Sequence, residues 1–165
     1  AELRFLADHD PLTRLLNRRA FVGRLDGEVA RVKRYGRSFG LVLADLDAFK
    51  QANDRFGHAN GDDALQTFAS VLERALRKPD DAFRIGGDEF ALLLSEASEL
   101  DTRAVVRRIK DLLHETGGRR LYEITASFGC AACPEDADDA KTLFRLADEA
   151  LYEAKRTGSG LHFVA

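Results

Sequence analysis

Apolar residues along the chain change spacing several times, and each change marks an element. Phe21, Leu25, Val29 and Val32 recur at helical spacing and predict a helix that stops near Gly36. Phe39 to Leu43 is a nearly unbroken apolar run, short enough for a buried strand, and it ends abruptly in Ala44-Asp45-Leu46-Asp47. Ala48 to Phe56 predicts a short helix broken at Gly57. After Gly61, a second amphipathic helix carries Leu65, Phe68, Ala69, Leu72 and Leu76 and is closed by Pro79. Ala82 to Ile85 and Glu89 to Leu94 read as strands joined through Gly86-Gly87 in a tight hairpin. Val105, Ile109, Leu112 and Leu113 predict a helix ending at Gly117-Gly118. A strand from Tyr122 to Cys130, a helix with Leu143, Leu146, Ala147, Ala150 and Leu151, and a short strand from Leu161 to Val164 complete the pattern. Asp8 to Asn17 is the least periodic part of the N-terminus and reads as a structured lead-in.

Without the first helix and the last helix and strand, the order is β-α-α-β-β-α-β. This is an α+β, ferredoxin-like split βαβ arrangement with one extra helix: an antiparallel sheet flanked by helices. The 165 residues, 45% of them apolar and 32% charged, suffice for one domain with a substantial core. With 25 basic and 28 acidic side chains the net charge is −3, which argues against a nucleic-acid coat or a surface held on anionic lipid. A small anionic ligand needs only a few well-placed bases. There is no membrane-length apolar run and no signal-peptide anatomy, so the domain is expected in the cytoplasm without direct membrane contact. The absence of Met predicts a piece of a longer polypeptide. Cys130 and Cys133 have the C-x-x-C spacing of a redox pair or half a zinc site, but His9, His58, His114 and His162 lack the paired spacing to complete one. Buried, inert thiols are expected.

Two groups of carboxylates call for a chemical reason: Asp45 and Asp47 at the end of the first strand, and Asp88 and Glu89 in the hairpin. A split βαβ sheet can set that strand beside the hairpin and bring them together. Converging carboxylates repel unless a cation neutralises them, and Mg²⁺ held by few protein carboxylates usually brings phosphates with it. Asp47 is read more simply as the cap of the helix that begins at Ala48. Asp45 has no such role. Asn53 offers a donor and an acceptor and Asp62 two acceptor oxygens, a set that fits a guanine edge, although ordinary helix-end residues would look the same.

Gly86-Gly87-Asp88-Glu89-Phe90 resembles the signature of the GGDEF domain family, the diguanylate cyclases. The opening Asp10-Pro11-Leu12-Thr13-Arg14-Leu15-Leu16-Asn17-Arg18-Arg19, the block from Asp45 to Asp62, Ser127-Phe128-Gly129, and Ala147 to Lys155 resemble further family blocks in the same order. The resemblance implies a fold like the nucleotidyl cyclases and the polymerase palm. It implies GTP as substrate, cyclic di-GMP and pyrophosphate as products, and two Mg²⁺ or Mn²⁺ ions in each active site. Asp45, the Leu46 carbonyl and Asp88 would hold the ions, with Glu89 as a further ligand or as the base. Asn53 and Asp62 would read guanine with His58 nearby, Lys50 and Lys155 would sit on the triphosphate, and Gly86 and Gly87 would let the backbone pass close to the nucleotide. Because the product is built from two GTP molecules, an antiparallel homodimer is implied.

Arg77-Lys78-Pro79-Asp80 matches the family's R-x-x-D inhibitory site for cyclic di-GMP, to which Arg107 or Arg108 would add a guanidinium. The plainer reading is a helix end and a turn. Residues 10–165 would form the catalytic domain, and 1–9 the tail of a linker helix from an upstream regulatory region. Ser159 stands where the family carries an arginine, a loss of roughly 1.5–3 kcal/mol in phosphate binding unless Arg156 substitutes. A catalytically weak or silent module that binds GTP or cyclic di-GMP is therefore the alternative. A palm-like enzyme acting on nucleic acid is the third reading, and the acidic net charge opposes it.

Overall fold

The computed structural model describes residues 2–116 and 123–164. Helix α1 (Glu2–Asp8) leads into a tight turn and then α2 (Arg18–Tyr35). Asn17 caps α2 by accepting from the Ala20 N–H at 3.0 Å, and Gly36 ends it in the left-handed conformation that a Cβ disfavours. There follow β1 (Phe39–Leu46), α3 (Phe49–Phe56), α4 (His58–Ala75), β2 (Asp81–Arg84), β3 (Glu89–Ser95), α5 (Glu99–Thr116), β4 (Ala126–Cys133), α6 (Ala140–Thr157) and β5 (Leu161–Phe163).

The five strands lie in the order β2-β3-β1-β4-β5. The first four are antiparallel, as expected of a split βαβ sheet, and β5 adds a parallel edge. Alternation along the apolar strands divides the core in two. Val42, Ala44, Leu92, Leu94 and Phe128 pack under α4 and α5, while Leu41, Leu43, Ala91, Leu93 and Ala131 pack under α2 and α6. Among the described residues no helix is long and apolar enough to cross a membrane.

Three boundaries differ from expectation. α4 starts at His58, because Gly57 alone (φ 89°, ψ 162°) makes the turn out of α3. The hairpin is not a tight two-residue turn: Ile85 to Asp88 form its loop, and neither Gly86 nor Gly87 has positive φ. β4 runs to Cys133, since Cys133 to Ala131 cover the edge of Phe39 to Leu41 that β3 leaves open. The expected helix stop at Gly117-Gly118 and strand start at Tyr122 lie outside the described residues.

Gly129 shows how closely the layers approach. A Cβ there would collide with the Ala147 carbonyl and the Leu151 backbone of α6, which cannot rotate aside. Gly129→Ala is expected to lower stability by about 1–3 kcal/mol, measured as a drop in the urea midpoint with an unchanged slope.

Candidate active site

The alternation that builds the core also exposes the acids. Along β1, Leu41 and Leu43 face the α2/α6 layer, so Asp45, two residues on, emerges at its open end. Across the sheet Asp45 is paired with Glu89 on β3 and Ser127 on β4. Lys155, in the last turn of α6, donates to Asp45 Oδ2, while Asp45 Oδ1 is buried and has no hydrogen-bond partner. Burial pushes the Asp45 carboxyl up to about 6; the Lys155 ammonium opposes the rise, and the nearby Asp88 carboxylate adds to it. The convergence expected of Asp45 and Asp88 is thus present.

This donor set fits a hard divalent cation. A buried carboxylate oxygen without a donor is costly, and Asp45 Oδ1 beside Asp88 offers carboxylate oxygens of the kind that Mg²⁺ accepts. Among the described residues no group of three or more Asp, Glu, His or Cys side chains is gathered as a metal cage.

The loop bearing Asp88 is held from behind by Arg84. Its Nε donates to the Gly86 and Gly87 carbonyls, both at 3.2 Å, and Nη2 donates to the Gly87 carbonyl at 2.9 Å. Nη1 reaches Asp10 Oδ2 at 3.1 Å, and that oxygen also accepts from the Thr13 N–H and hydroxyl, both at 2.8 Å. The hydrogen bonds from Thr13 and the Arg84 guanidinium outweigh burial and hold the Asp10 carboxyl below its usual range. Arg18 adds a bond to the Ile85 carbonyl at 3.3 Å. A Cβ on Gly86 would collide with Glu89 Oε2, so this glycine lets Glu89 fold back over the loop; one on Gly87 would meet nothing within 4 Å.

A second group lies at the α3–α4 junction. Asn53 Oδ1 is buried without a hydrogen-bond partner, directly over Gly61, where a Cβ would collide with it. Asp62 follows at the exposed surface, and His58 and Lys50 are exposed. The orphaned amide oxygen gives Asn53 an unmet hydrogen-bonding capacity, while the exposed Asp62 looks like an ordinary helix residue.

Asp47 is not the expected helix cap. Ala48 occupies the cap position of α3 without a side-chain hydrogen bond, and Asp47 instead accepts from Thr125 and Ser127. Arg77 and Asp80 form an ion pair, but unequally. Asp80 is fully buried and accepts from the Arg77 N–H at 3.2 Å and the Ser95 N–H at 3.1 Å, whereas more than half of Arg77 is exposed. Arg107 is exposed, and Arg108 donates to the Arg74 carbonyl at 3.3 Å. Arg156 pairs with Glu153 at 2.7 Å on the exposed surface, and the Ser159 hydroxyl donates to the Leu161 carbonyl. Cys130 and Cys133 sit in opposite core layers, and burial raises both thiols, Cys133 to about 11, which rules out a local redox pair.

Arg84, Asp10 and Gly61 were not singled out from the sequence. An arginine beside a Gly-Gly loop and a glycine inside an amphipathic helix were the available signals.

A palm-like α+β sheet with carboxylates gathered at the end of its central strand defines the class of the domain. The chain belongs to the family described as diguanylate cyclase, GGDEF domain, which matches residues 7–160. It is 38% identical over 98% of its length to an uncharacterized signaling protein of Caulobacter vibrioides, of which it spans 20%. It is 34% identical over 93% of its length to the probable diguanylate cyclase DgcT of Escherichia coli, of which it spans 34%. The coiled coil and GGDEF domain of DgcB from Caulobacter crescentus, solved in complex with c-di-GMP, superposes with a TM-score of 0.90 at 31% identity, covering 99% of this chain and 88% of that one. The GGDEF domain of YfiN (TpbB) from Pseudomonas aeruginosa gives 0.88 at 35% identity, covering 95% and 94%. The chain spans about a third or less of the length of these curated relatives.

Asp45 binds its proton more tightly folded than unfolded. Its penalty is absent below the ordinary carboxylate range, grows as pH rises toward about 6, and is complete above it. Asp45→Asn is therefore expected to raise the metal-free melting temperature at neutral pH by roughly a few degrees. A lower melting temperature would mean that the Lys155 pairing outweighs the cost of burial.

Proposed function

We propose that this domain is a diguanylate cyclase that condenses two GTP into cyclic di-GMP and two pyrophosphates across an antiparallel homodimer. The observation that carries the reading is the buried, partnerless Asp45 Oδ1 beside Asp88, in a chain of the diguanylate cyclase family. Asp45, Asp88 and the Leu46 carbonyl would hold two Mg²⁺ or Mn²⁺ ions, with Glu89 as further ligand or base. When bound, the ions make the attacking 3′-hydroxyl more acidic and stabilise charge at the α-phosphorus. The new bond joins the 3′-oxygen to the α-phosphorus, the bond to pyrophosphate breaks in line, and the 3′-hydroxyl proton passes to the base.

Lys155 exchanges its Asp45 contact for the triphosphate, where with Lys50 it stabilises the leaving pyrophosphate. Asn53 and Asp62 read the guanine edge, with His58 at its side. The orphaned Asn53 oxygen supports this, since a guanine N–H would supply the missing donor. Each domain binds one GTP and presents it to the other, so no covalent protein intermediate is required.

A second reading has an observation of its own. Ser159 stands in place of a phosphate-binding arginine, which favours a weak or silent module that binds GTP or cyclic di-GMP. Incubating concentrated protein with GTP and Mg²⁺ and weighing the products decides between them. Cyclic di-GMP that disappears in Asp88→Ala is expected; nucleotide binding without turnover would replace the first reading by the second.

Product inhibition is assigned to Arg77 and Asp80, with Arg107 or Arg108 adding charge. Both halves of the pair also carry stability: Arg77→Ala should relieve inhibition while retaining turnover, and should lower the melting temperature because the buried Asp80 carboxylate loses its counter-charge, whereas Asp80→Ala should destabilise the domain by stranding the Ser95 N–H. Unchanged inhibition by cyclic di-GMP in Arg77→Ala would overturn the assignment.

A further inference from the structure

The turn between β1 and α3 is strained and yet has no local support. Ala48 lies in the left-handed region at φ 52°, ψ 27°, a conformation that costs a residue with a Cβ roughly 1–2 kcal/mol. It heads α3 without a side-chain cap. Such backbone persists only where its surroundings over-determine it.

The support comes from β4. The Asp47 N–H donates to the Thr125 carbonyl at 2.9 Å, the Thr125 hydroxyl donates to Asp47 Oδ2 at 2.9 Å, and the buried Ser127 hydroxyl donates to Asp47 Oδ1 at 2.7 Å. Asp47 thus grips β4 with its backbone and with both carboxylate oxygens. The peptide joining Leu46 to Asp47 is planar, and its N–H and C=O point in opposite directions. Holding the N–H toward β4 turns the Leu46 carbonyl toward the other side of β1, where the Leu46 N–H already meets the Asp88 carbonyl at 3.3 Å.

We propose that Asp47 is a positioning residue: its clamp on Thr125 and Ser127 aims the Leu46 carbonyl at the cation position beside Asp45 and Asp88. This rests on the reading of those three groups as the metal ligands. Asp47 itself does not coordinate. The same clamp fixes the start of α3 and with it Lys50.

The probe is Mn²⁺, titrated by electron paramagnetic resonance in the presence of a non-hydrolysable GTP analogue, so that turnover plays no part. Asp47→Ala and the double variant Thr125→Val with Ser127→Ala should each weaken Mn²⁺ binding by about tenfold. Asp47→Asn should stay close to wild type: the amide oxygen still accepts from one hydroxyl, and the amide N–H can donate to the other. If Asp47→Ala does not fold, the double variant carries the test. Wild-type Mn²⁺ affinity in the double variant overturns the positioning role, as does Asp47→Asn binding as weakly as a variant that lacks a ligand. Asp45→Asn tests the underlying reading separately, because unchanged Mn²⁺ affinity there removes the metal site and not merely the clamp.

Discussion

β1 is hydrogen-bonded along both edges, to β3 on one side and β4 on the other, and it is buried against helices on both faces. A strand held from four directions can neither slide nor twist, so its C-terminal end is a fixed point. The acidic group of the candidate site is built around that point. Asp45 is the first residue of the α2/α6 face beyond the packed leucines, Glu89 and Ser127 are its partners in the ladders, and Lys155 comes to it from the end of α6. The protein accepts a half-buried, repelled carboxylate there because the surrounding core is rigid enough to hold it. Stability is given up at one position so that charge can be collected there.

Elements whose identity depends on local pattern were legible in the sequence. The apolar run of β1, the two strand-like runs flanking Gly86-Gly87 and the helical stripes of α2, α4 and α6 are local signals, and the Gly-Gly-Asp-Glu-Phe run and its companion blocks indicated the family. What stayed hidden was set by distant partners. Ala131 to Cys133 are too small to announce a strand, and they join one because they cover the edge of Phe39 to Leu41 that β3 leaves open. Asp47 looked like a cap because a carboxylate before a helix usually is one. Its partners lie 78 and 80 residues away, and no local window contains them.

The same holds for the glycines. Gly86 and Gly87 suggested a tight turn, yet neither has positive φ; the space a Cβ on Gly86 would fill is taken by the Glu89 carboxylate. Gly61 sits inside a helix, where glycine costs about 1 kcal/mol against alanine, and only the Asn53 amide lying across it explains the choice. In both cases the missing Cβ makes space for a polar side chain, which is a tertiary demand with a weak local trace.

The clamp at Arg84 bears on where the domain starts. Asp10 and Arg84 are 74 residues apart, and their guanidinium–carboxylate contact is largely shielded from water, with side-chain exposures of 16% and 18%. A fragment trimmed to begin at Arg14 would keep every strand and the longer helices. It would also leave the guanidinium behind the Gly86 and Gly87 carbonyls without its counter-charge, and the loop carrying Asp88 without its brace. The brace behind the Asp88 loop therefore starts before the first residue of the sheet, in a turn whose Leu12, Leu15 and Leu16 also pack against the core layers.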